Sequence, residues 1–507
     1  MHARLIPLLL AAVLVHAETG HVMPPLDTRA FPTAAAGASL APGAIVPNFR
    51  LTDHTGLTRE LYYETGAKAT VLVFTGVDSP RAMQTASALR ALRAKYAATD
   101  VVIWQIDANL GTARSALAAS QTLNNNDTPV LIDEAQLVAT ELGATRQLEA
   151  FVIGPWPLWQ LVYRGPLDNA DPSSLSAPTV NYVADVVAAL VAAKNPTPSQ
   201  VALATSAPTL ALASPSINYS SDVAPVVLRR CVQCHSPGNI APFNLTRVTD
   251  LQDRAPSVRA GLLQKRMSPW HADGQFGVFS NDAAMTPAEA ATLHAWVRAG
   301  APRGTGPDPL ATAPAPASGD WPLGQPDLIV TLPKQDLPAN GIIDYRYLSV
   351  PVPLTSDRWL KAAVVKPGNR RVVHHALVFE GGLVDLLLAG GGLGGFFAGY
   401  VPGLQQTFYP AGTGKLMHQG SQITFQMHYT ATGQAETDQT EIGFYFHATP
   451  PPNEMLTKAA STISITIPAG AREYEREASF TPSTTRDVIL YELNPHMHYR
   501  GKRMRFE

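Results

Sequence analysis

The first third of the chain alternates between short apolar runs and stretches with helical spacing. Residues 69–74 and 101–107 are almost wholly apolar, as in strands buried on both faces, and residues 81–97 repeat their apolar positions at helical intervals. Further strand-like runs follow at 130–133, 149–153 and 159–163. This alternation predicts an α/β layer structure with a partly parallel sheet over residues 40–191.

A shorter block, residues 222–301, has the pattern of a small all-α domain. It begins with capping residues and a helical run, and it closes with a helix that starts at a capping box with proline in the first helical position, residues 286–289. The apolar stripe of this closing helix is Leu293, Trp296 and Val297, and Gly300 ends it.

The last block, from residue 327, is dominated by strand-like runs that turn signals separate. These runs are 345–350, 359–365, 371–380, 422–430, 442–446, 463–467 and 487–493. We therefore predict an all-β sandwich over residues 327–454 and the start of a second β-sandwich over residues 455–507. The whole chain is thus expected to be a multidomain protein.

Three further segments differ from these blocks in composition. Residues 192–221 and 302–326 are rich in Pro, Ala, Ser or Gly and are predicted to be semi-extended linkers. Residues 1–17 carry one Arg before a short apolar stretch that ends in Val-His-Ala, which indicates a cleavable signal peptide and a secreted or periplasmic protein. The alternative for this segment is an apolar first strand.

The composition limits the classes of partner. The net charge is −2 and charged residues make up 15% of the chain, so the protein lacks the basic surface that a nucleic-acid binder needs. No apolar run reaches the roughly 18 residues that span a bilayer, so no membrane span is expected.

The two cysteines form one motif, Cys231-Val232-Gln233-Cys234-His235. Two thiols at this spacing can bond the two vinyl groups of one haem, and the adjacent His235 can supply an iron ligand. The block resembles a small cytochrome c, which implies a covalent haem c. Met267, in a Met-Ser-Pro loop, is the predicted sixth ligand and His271 the alternative; a zinc site would need more cysteines or histidines nearby.

Histidines are concentrated in the last block. His496 and His498 are two residues apart, so on a strand both face the same side and can bind one metal. His428 shares a face with polar residues and is not expected in the core. His374 and His375 are adjacent and should point to opposite faces, so a shared metal requires the strand to twist, bulge or end there.

The α/β block resembles the thioredoxin-like fold, specifically the redoxin family, over about 130 residues. The resemblance implies a nucleophilic cysteine after the first central strand, where this chain has Ser79 before Pro80. It also implies a proline before a late strand, where this chain has Leu148. A hydroxyl does not replace a low-pKa thiolate, so we expect a degenerate domain that serves for scaffolding or docking.

The last block resembles the copper type II, ascorbate-dependent monooxygenases, which include peptidylglycine and dopamine β-monooxygenases. The matching pieces, in family order, are Val373-His374-His375, Gln426-Met427-His428-Tyr429 and Pro495-His496-Met497-His498. The resemblance implies two coppers, an electron-transfer site held by His374, His375 and His428 and a catalytic site begun by His496 and His498. The family completes the second site with a downstream Met, so we expect the chain to be part of a longer protein.

These features together predict an exported haem- and copper-dependent monooxygenase in which the haem delivers electrons. Such an enzyme would need an electron-donor partner and a small-molecule or peptide substrate. Two other functions stay open. One is a periplasmic electron-transfer protein whose copper sites do not hydroxylate, and the other is a redoxin-based scaffold or binding protein.

Overall fold

The computed structural model describes residues 40–77, 79, 81–174, 176–213, 216–267, 269, 272–313, 321–382, 395–404, 406–460, 462, 465–471, 473–481, 487–497 and 501–507. These residues form two compact units. The α/β unit comprises residues 40–232 and 245–313, and the β unit comprises residues 233–244 and 321–507. The predicted cytochrome block is therefore shared between the units, and the predicted domain boundaries stay predictions.

The α/β unit is built on one mixed sheet with the order β2-β1-β5-β4-β3-β6-β7-β8. Its strands are β1 Arg50–Asp53, β2 Thr58–Glu60, β3 Ala69–Thr75, β4 Val101–Asp107, β5 Val130–Ile132, β6 Glu149–Ile153, β7 Leu161–Pro166 and β8 Ser199–Gln200. Strands β3, β4 and β5 run parallel, whereas β6 is antiparallel to both β3 and β7. The predicted α/β structure with a partly parallel sheet is confirmed.

Helices cover the central strands, which are mostly apolar. All seven residues of β3 and all seven of β4 are buried, as expected for strands covered on both faces. Four helices accompany the sheet: α1 Ala82–Lys95, α2 Arg114–Leu123, α3 Leu137–Leu142 and α4 Tyr182–Val191. Apolar residues of α1 and α4 pack in one core with those of β3, β4 and β6.

Within the segment predicted to be the first linker, 192–221, residues 194–213 are largely extended but pack along the α/β unit. β8 pairs with β7, the amide of Gln147 donates to the carbonyl of Pro208, and the amide of Leu210 donates to the carbonyl of Thr145. Backbone hydrogen bonds of this kind need no apolar side chains. The Pro- and Ser-rich composition of the segment therefore did not predict them.

Five more helices complete the α/β unit: α5 Ala224–Arg230, α6 Val248–Asp253, α7 Ala255–Leu263, α8 Pro287–Arg298 and α9 Pro309–Thr312. The predicted closing helix is α8, with the capping box of Thr286 and Glu289 in place. Trp296 is buried in α8, packs on Tyr219 and donates to the carbonyl of Pro302. Within the described residues, no helix is long and apolar enough to cross a membrane.

In the described residues, the β unit contains two larger sheets with a common core and a separate two-stranded sheet, and all but one of their strand pairs are antiparallel. Its strands are β9 Leu328–Thr331, β10 Gln335–Leu337, β11 Arg346–Pro351, β12 Arg358–Lys366, β13 Val373–Glu380, β14 Phe396–Tyr400, β15 Gln406–Phe408, β16 Thr413–Met417, β17 Gln422–Tyr429, β18 Glu436–Asp438, β19 Glu441–Phe446 and β20 Asn453–Glu454. One sheet has the order β11-β17-β13-β14, and the other β20-β16-β12-β19-β9, with β15 also paired to β12. Residues from both sheets share one apolar cluster, which is the two-layer packing predicted for this region.

The predicted strand at 487–493 is wrong. Its described residues have no strand pairing, and the side chains of Val488, Ile489 and Leu490 are 66%, 75% and 72% exposed. A strand exists only through hydrogen bonds to a neighbouring strand, so an apolar run by itself does not suffice. The other predicted strand in this region, 463–467, falls partly outside the described residues.

A buried carboxylate joins the sheet region of the α/β unit to its later helices. Glu141, on α3, is 3% exposed and accepts hydrogen bonds from His294 Nε2 at 2.6 Å and Arg259 Nε at 2.7 Å. Arg298 Nη1 lies 3.7 Å from the same carboxylate. Because a buried charge is costly without partners, these contacts tie α3 to α7 and α8.

We expect Glu141→Gln to lower the free energy of unfolding by about 3 kcal/mol, because it leaves Arg259 without its buried counter-charge. Urea unfolding at pH 7, followed by circular dichroism, measures this change. The matched control is Glu134→Gln, which removes the exposed ion pair of Glu134 with Lys265 and should change the free energy by less than about 0.5 kcal/mol. Equal effects of the two substitutions would contradict the assigned role of Glu141.

The contribution of Glu141 should also depend on pH. Burial by itself would raise the pKa of Glu141, but the hydrogen bonds and charges of His294 and Arg259 outweigh burial and lower the pKa from 4.5 to about 2. As the pH falls, the unfolded chain binds the proton first, so the stabilisation is complete above about pH 4.5 and is lost as the pH falls towards 2. The difference in unfolding free energy between wild type and Glu141→Gln should therefore shrink below pH 4.5, and a difference that stays constant would contradict this assignment.

Candidate metal and haem sites

A β-bulge brings two adjacent histidines to one side of the four-stranded sheet. Strand β13 pairs with β17 in a register that joins Val373 to Tyr429 and His375 to His428. His374 is the extra residue between these pairs, and the register shifts there. An extra residue bends the strand and redirects its side chain. For His374 and His375 to share a metal, the strand had to twist, bulge or end there, and this bulge meets that requirement.

The three imidazoles of His374, His375 and His428 converge. One nitrogen from each lies within 4.8 Å of the other two, and the Nδ1 atoms of His374 and His375 are 3.1 Å apart. The ring centroids are 5.3 Å apart for His374 and His375 and 4.9 Å apart for the two pairs that include His428. Imidazoles that bind one ion at about 2.0–2.1 Å and at roughly tetrahedral angles have centroids about 5 Å apart, so the donor set fits a single metal ion.

The surroundings of His374 favour its neutral imidazole, which is the metal-binding form. Removal of water from the ring lowers the pKa of His374. Along β17, Phe425, Met427 and Tyr429 are buried while His428 is half-buried, as the alternation of the sequence predicted. Within the described residues this group of ligands contains imidazoles alone, a donor set that suits copper, zinc, nickel or iron.

Tyr345 forms one wall of the cluster. Its ring stacks on His428 with a centroid separation of 4.6 Å, and it lies 5.8 Å from the ring of His375. The sequence placed Tyr345 at the start of a strand but gave no sign of this contact, because β11 reaches the histidines only through its pairing with β17.

The second predicted copper site is described in part. His496 lies beside the three-histidine cluster, with its ring centroid 6.4 Å from that of His375. His498 lies outside the described residues. The separate catalytic copper site begun by these two histidines therefore stays a prediction.

The predicted haem motif spans the end of α5 and the segment that follows. Cys231 closes α5, and both cysteines are half-buried. His235 is 7% exposed, its Nδ1 lies 3.0 Å from the carbonyl oxygen of Phe243, and its ring packs on the ring of Phe243. A metal-binding histidine commonly donates its second ring N–H to a carbonyl, which fixes the ring and leaves the other nitrogen for the metal. The environment of His235 fits this role, although no sequence pattern had indicated Phe243.

The other predicted haem ligand is less constrained. Met267 follows α7 in the α/β unit and is 49% exposed. His271, the alternative, lies outside the described residues. The sixth ligand stays a prediction.

The redoxin-like turn carries a hydroxyl where the resemblance implies a thiol. Ser79 is buried, and its Oγ has no hydrogen-bond partner among the described groups. Pro80 lies outside the described residues. Leu148 has a φ of +66° and its amide donates to the carbonyl of Phe74 at 2.8 Å, a hydrogen bond that the proline implied at this position could not donate.

The chain shows similarity to several solved structures. No protein-family model matches the chain, and no curated protein matches it significantly. A hypothetical protein from Sinorhizobium meliloti is 21% identical over 35% of this chain and 98% of its own, with a TM-score of 0.32. The peroxidoxin BcpB of Mycobacterium tuberculosis is 22% identical over 31% and 99%, with a TM-score of 0.24.

A thioredoxin domain of a thiol-disulfide oxidoreductase from Bacteroides vulgatus is also similar, with 13% identity over 25% of this chain and 89% of its own and a TM-score of 0.23. The α/β unit itself has three parallel strands at the centre of its sheet, followed by two antiparallel ones.

We expect Tyr345→Ala to weaken metal binding at the three-histidine cluster by about tenfold, because it removes the ring that holds His428 in place. Tyr345→Phe keeps the ring and should bind as wild type. Titration with Cu²⁺, followed by electron paramagnetic resonance, measures the affinity. The control is Tyr347→Ala, two residues further along the chain, where the hydroxyl accepts a hydrogen bond from Gln426. An equal loss of affinity in both alanine variants would contradict the assigned role of Tyr345.

Proposed function

We propose that this chain is an exported copper- and haem-dependent oxidoreductase that acts as a monooxygenase on a C–H bond of a small molecule or peptide. The observation that carries the proposal is the convergence of His374, His375 and His428. The order of the histidine motifs supports the reaction class by resemblance, and residues 1–17 support export.

Copper is a better match to the cluster than zinc. Both metals bind imidazole, but zinc has no redox chemistry. The haem motif on the same chain indicates transfer of single electrons. Moreover, Cys234 and His235 belong to the same compact unit as the three histidines. A redox-active metal in the cluster would give the haem motif a partner within the β unit.

The residues of the haem motif fit a c-type haem. The spacing of Cys231 and Cys234 suits thioether bonds to two vinyl groups, and His235 is oriented by the carbonyl of Phe243. When bound, the haem would supply one electron at a time and the copper would alternate between Cu(I) and Cu(II).

Each group of side chains then has a distinct role in the proposed function. His374, His375 and His428 hold the electron-transfer copper, and Tyr345 supports His428. His496 and His498 would contribute to the oxygen-activating copper.

The α/β unit would act as a scaffold in this proposal. Ser79 lacks the thiolate that peroxide chemistry requires. In contrast, Glu141 connects the thioredoxin-like region to α7 and α8 through buried contacts. Structural support, rather than thiol chemistry, accounts for both observations.

The experiment that tests the proposal is metal and haem analysis of the mature protein. The protein would be produced in a host that attaches haem to c-type cytochromes and then loaded with copper. We expect a covalent haem and bound copper, and we expect His374→Ala/His375→Ala to lose one copper equivalent per chain while it keeps the haem. His418→Ala is the control, since His418 is exposed and pairs with Asp357.

Iron without copper in the wild type, or a copper content that the double substitution does not change, would contradict the proposal. Product analysis with ¹⁸O₂ then distinguishes hydroxylation from electron transfer alone. Incorporation of one labelled oxygen atom into a substrate is the result expected of a monooxygenase.

A further inference from the structure

The β unit has a cavity of about 230 Å³ beside Cys234. One wall is the segment that contains Gln233 and Cys234. The second wall includes Arg370, Tyr400 and Leu404. The haem-attachment segment and the β-sheet region therefore line the same open space within one compact unit.

A hydrogen bond holds the two walls together. The side-chain amide of Gln233 donates to the carbonyl oxygen of Gly403 at 3.0 Å. Gly403 lies in a tight turn after β14, in which the amides of Val401 and Leu404 each donate to the carbonyl of the other. Its φ of +93° is in the left-handed region that favours glycine. The turn thus presents its backbone to the haem-attachment segment.

The polar side chains in the second wall are the cation of Arg370, the hydroxyl of Tyr400 and the amide of Gln406. Among the described residues that line the cavity, Arg370 carries the positive charge. Burial raises the pKa of Tyr400 to about 12, with Arg370 opposing the rise and Cys234 adding to it. Tyr400 is therefore a neutral hydroxyl at physiological pH, and both Arg370 and Cys234 are close enough to influence it.

The second wall is continuous with the strands that hold the three-histidine cluster. Tyr400, on β14, pairs with Ala376 on β13, which directly follows His375. Arg370 lies just before β13 in the sequence. Adjacent strands are about 4.8 Å apart, so β14, which carries part of the cavity wall, lies directly beside β13, which carries two histidines of the cluster.

We propose that this cavity receives the edge of the haem bonded to Cys234, and that Arg370 is a positioning residue that raises the reduction potential of the haem. This inference rests on the proposed function, since it assumes the covalent haem. A nearby positive charge disfavours the additional positive charge of the ferric state, and charge and solvent exposure are the protein's means of tuning such a potential. A haem edge in this cavity would also be adjacent to the strands of the three-histidine cluster.

The test is a redox titration of the purified mature holoprotein, followed at the haem absorption bands. Arg370→Gln should shift the midpoint potential downward, so that at the wild-type midpoint the ferrous-to-ferric ratio falls from 1:1 to about 1:3 or lower. Arg370→Lys keeps the charge and should stay close to wild type. The matched control is Arg371→Gln, because Arg371 is the next residue and pairs with Glu436 at 2.9 Å; it should leave the potential unchanged.

An unchanged potential in Arg370→Gln, with full haem content, would overturn this inference and leave the proposed function intact. A wild-type protein without covalent haem would instead remove the proposed function. If Arg370→Gln does not fold, Leu404→Trp provides a second measurement, because it adds bulk to the cavity at a partly exposed side chain. We expect Leu404→Trp to lower the ratio of haem to protein at least twofold, and an unchanged ratio would overturn the inference.

Discussion

One extra residue in strand β13 brings three imidazoles together in the β unit of this chain. In a regular strand, His374 and His375 would point to opposite faces of the sheet, and one of them would enter the apolar core between the two sheets. The register shift between Val373 and His375 places both imidazoles beside His428. Strand pairing is irregular at one position, and this irregularity allows three nitrogen donors to converge. Val373 and Ala376, on either side of the bulge, are fully buried. Core packing therefore does not explain why the hydrogen-bonded pairing of β13 with β17 is interrupted between them.

Strand β13 connects the cluster to the rest of the proposed chemistry. Strand β14 pairs with β13 and is followed by the turn that accepts a hydrogen bond from Gln233. Gln233 of the haem motif and the first histidine pair are far apart in the sequence but lie in the same compact unit. The α/β unit is stabilised separately, with the buried Glu141 at the junction of its sheet region and its later helices. In this unit Ser79 stands at the position where the redoxin resemblance implies a reactive thiol.

The sequence predicted those parts of the structure that follow from local patterns. The apolar runs of β3 and β4 and the alternation in β17 place these strands where the structure has them, because burial on one or two faces determines which positions must be apolar. The sequence failed where backbone pairing decides the outcome. Residues 199–213 pair through hydrogen bonds that a Pro- and Ser-rich composition does not reveal, whereas the apolar run at 487–493 has no neighbouring strand. The donors to the metal were predicted, but Tyr345, Phe243 and Arg370 were not, since their contacts depend on long-range packing.

Pulsed electron paramagnetic resonance of the Cu²⁺-loaded protein tests the central claim most directly, because it detects the remote nitrogen of each imidazole bound to copper and so counts the histidine ligands. The bulge at His374 predicts a copper ion bound by three imidazoles. A signal from only one imidazole, or one that is the same when His374 is replaced by alanine, would show that the bulge does not build a metal site.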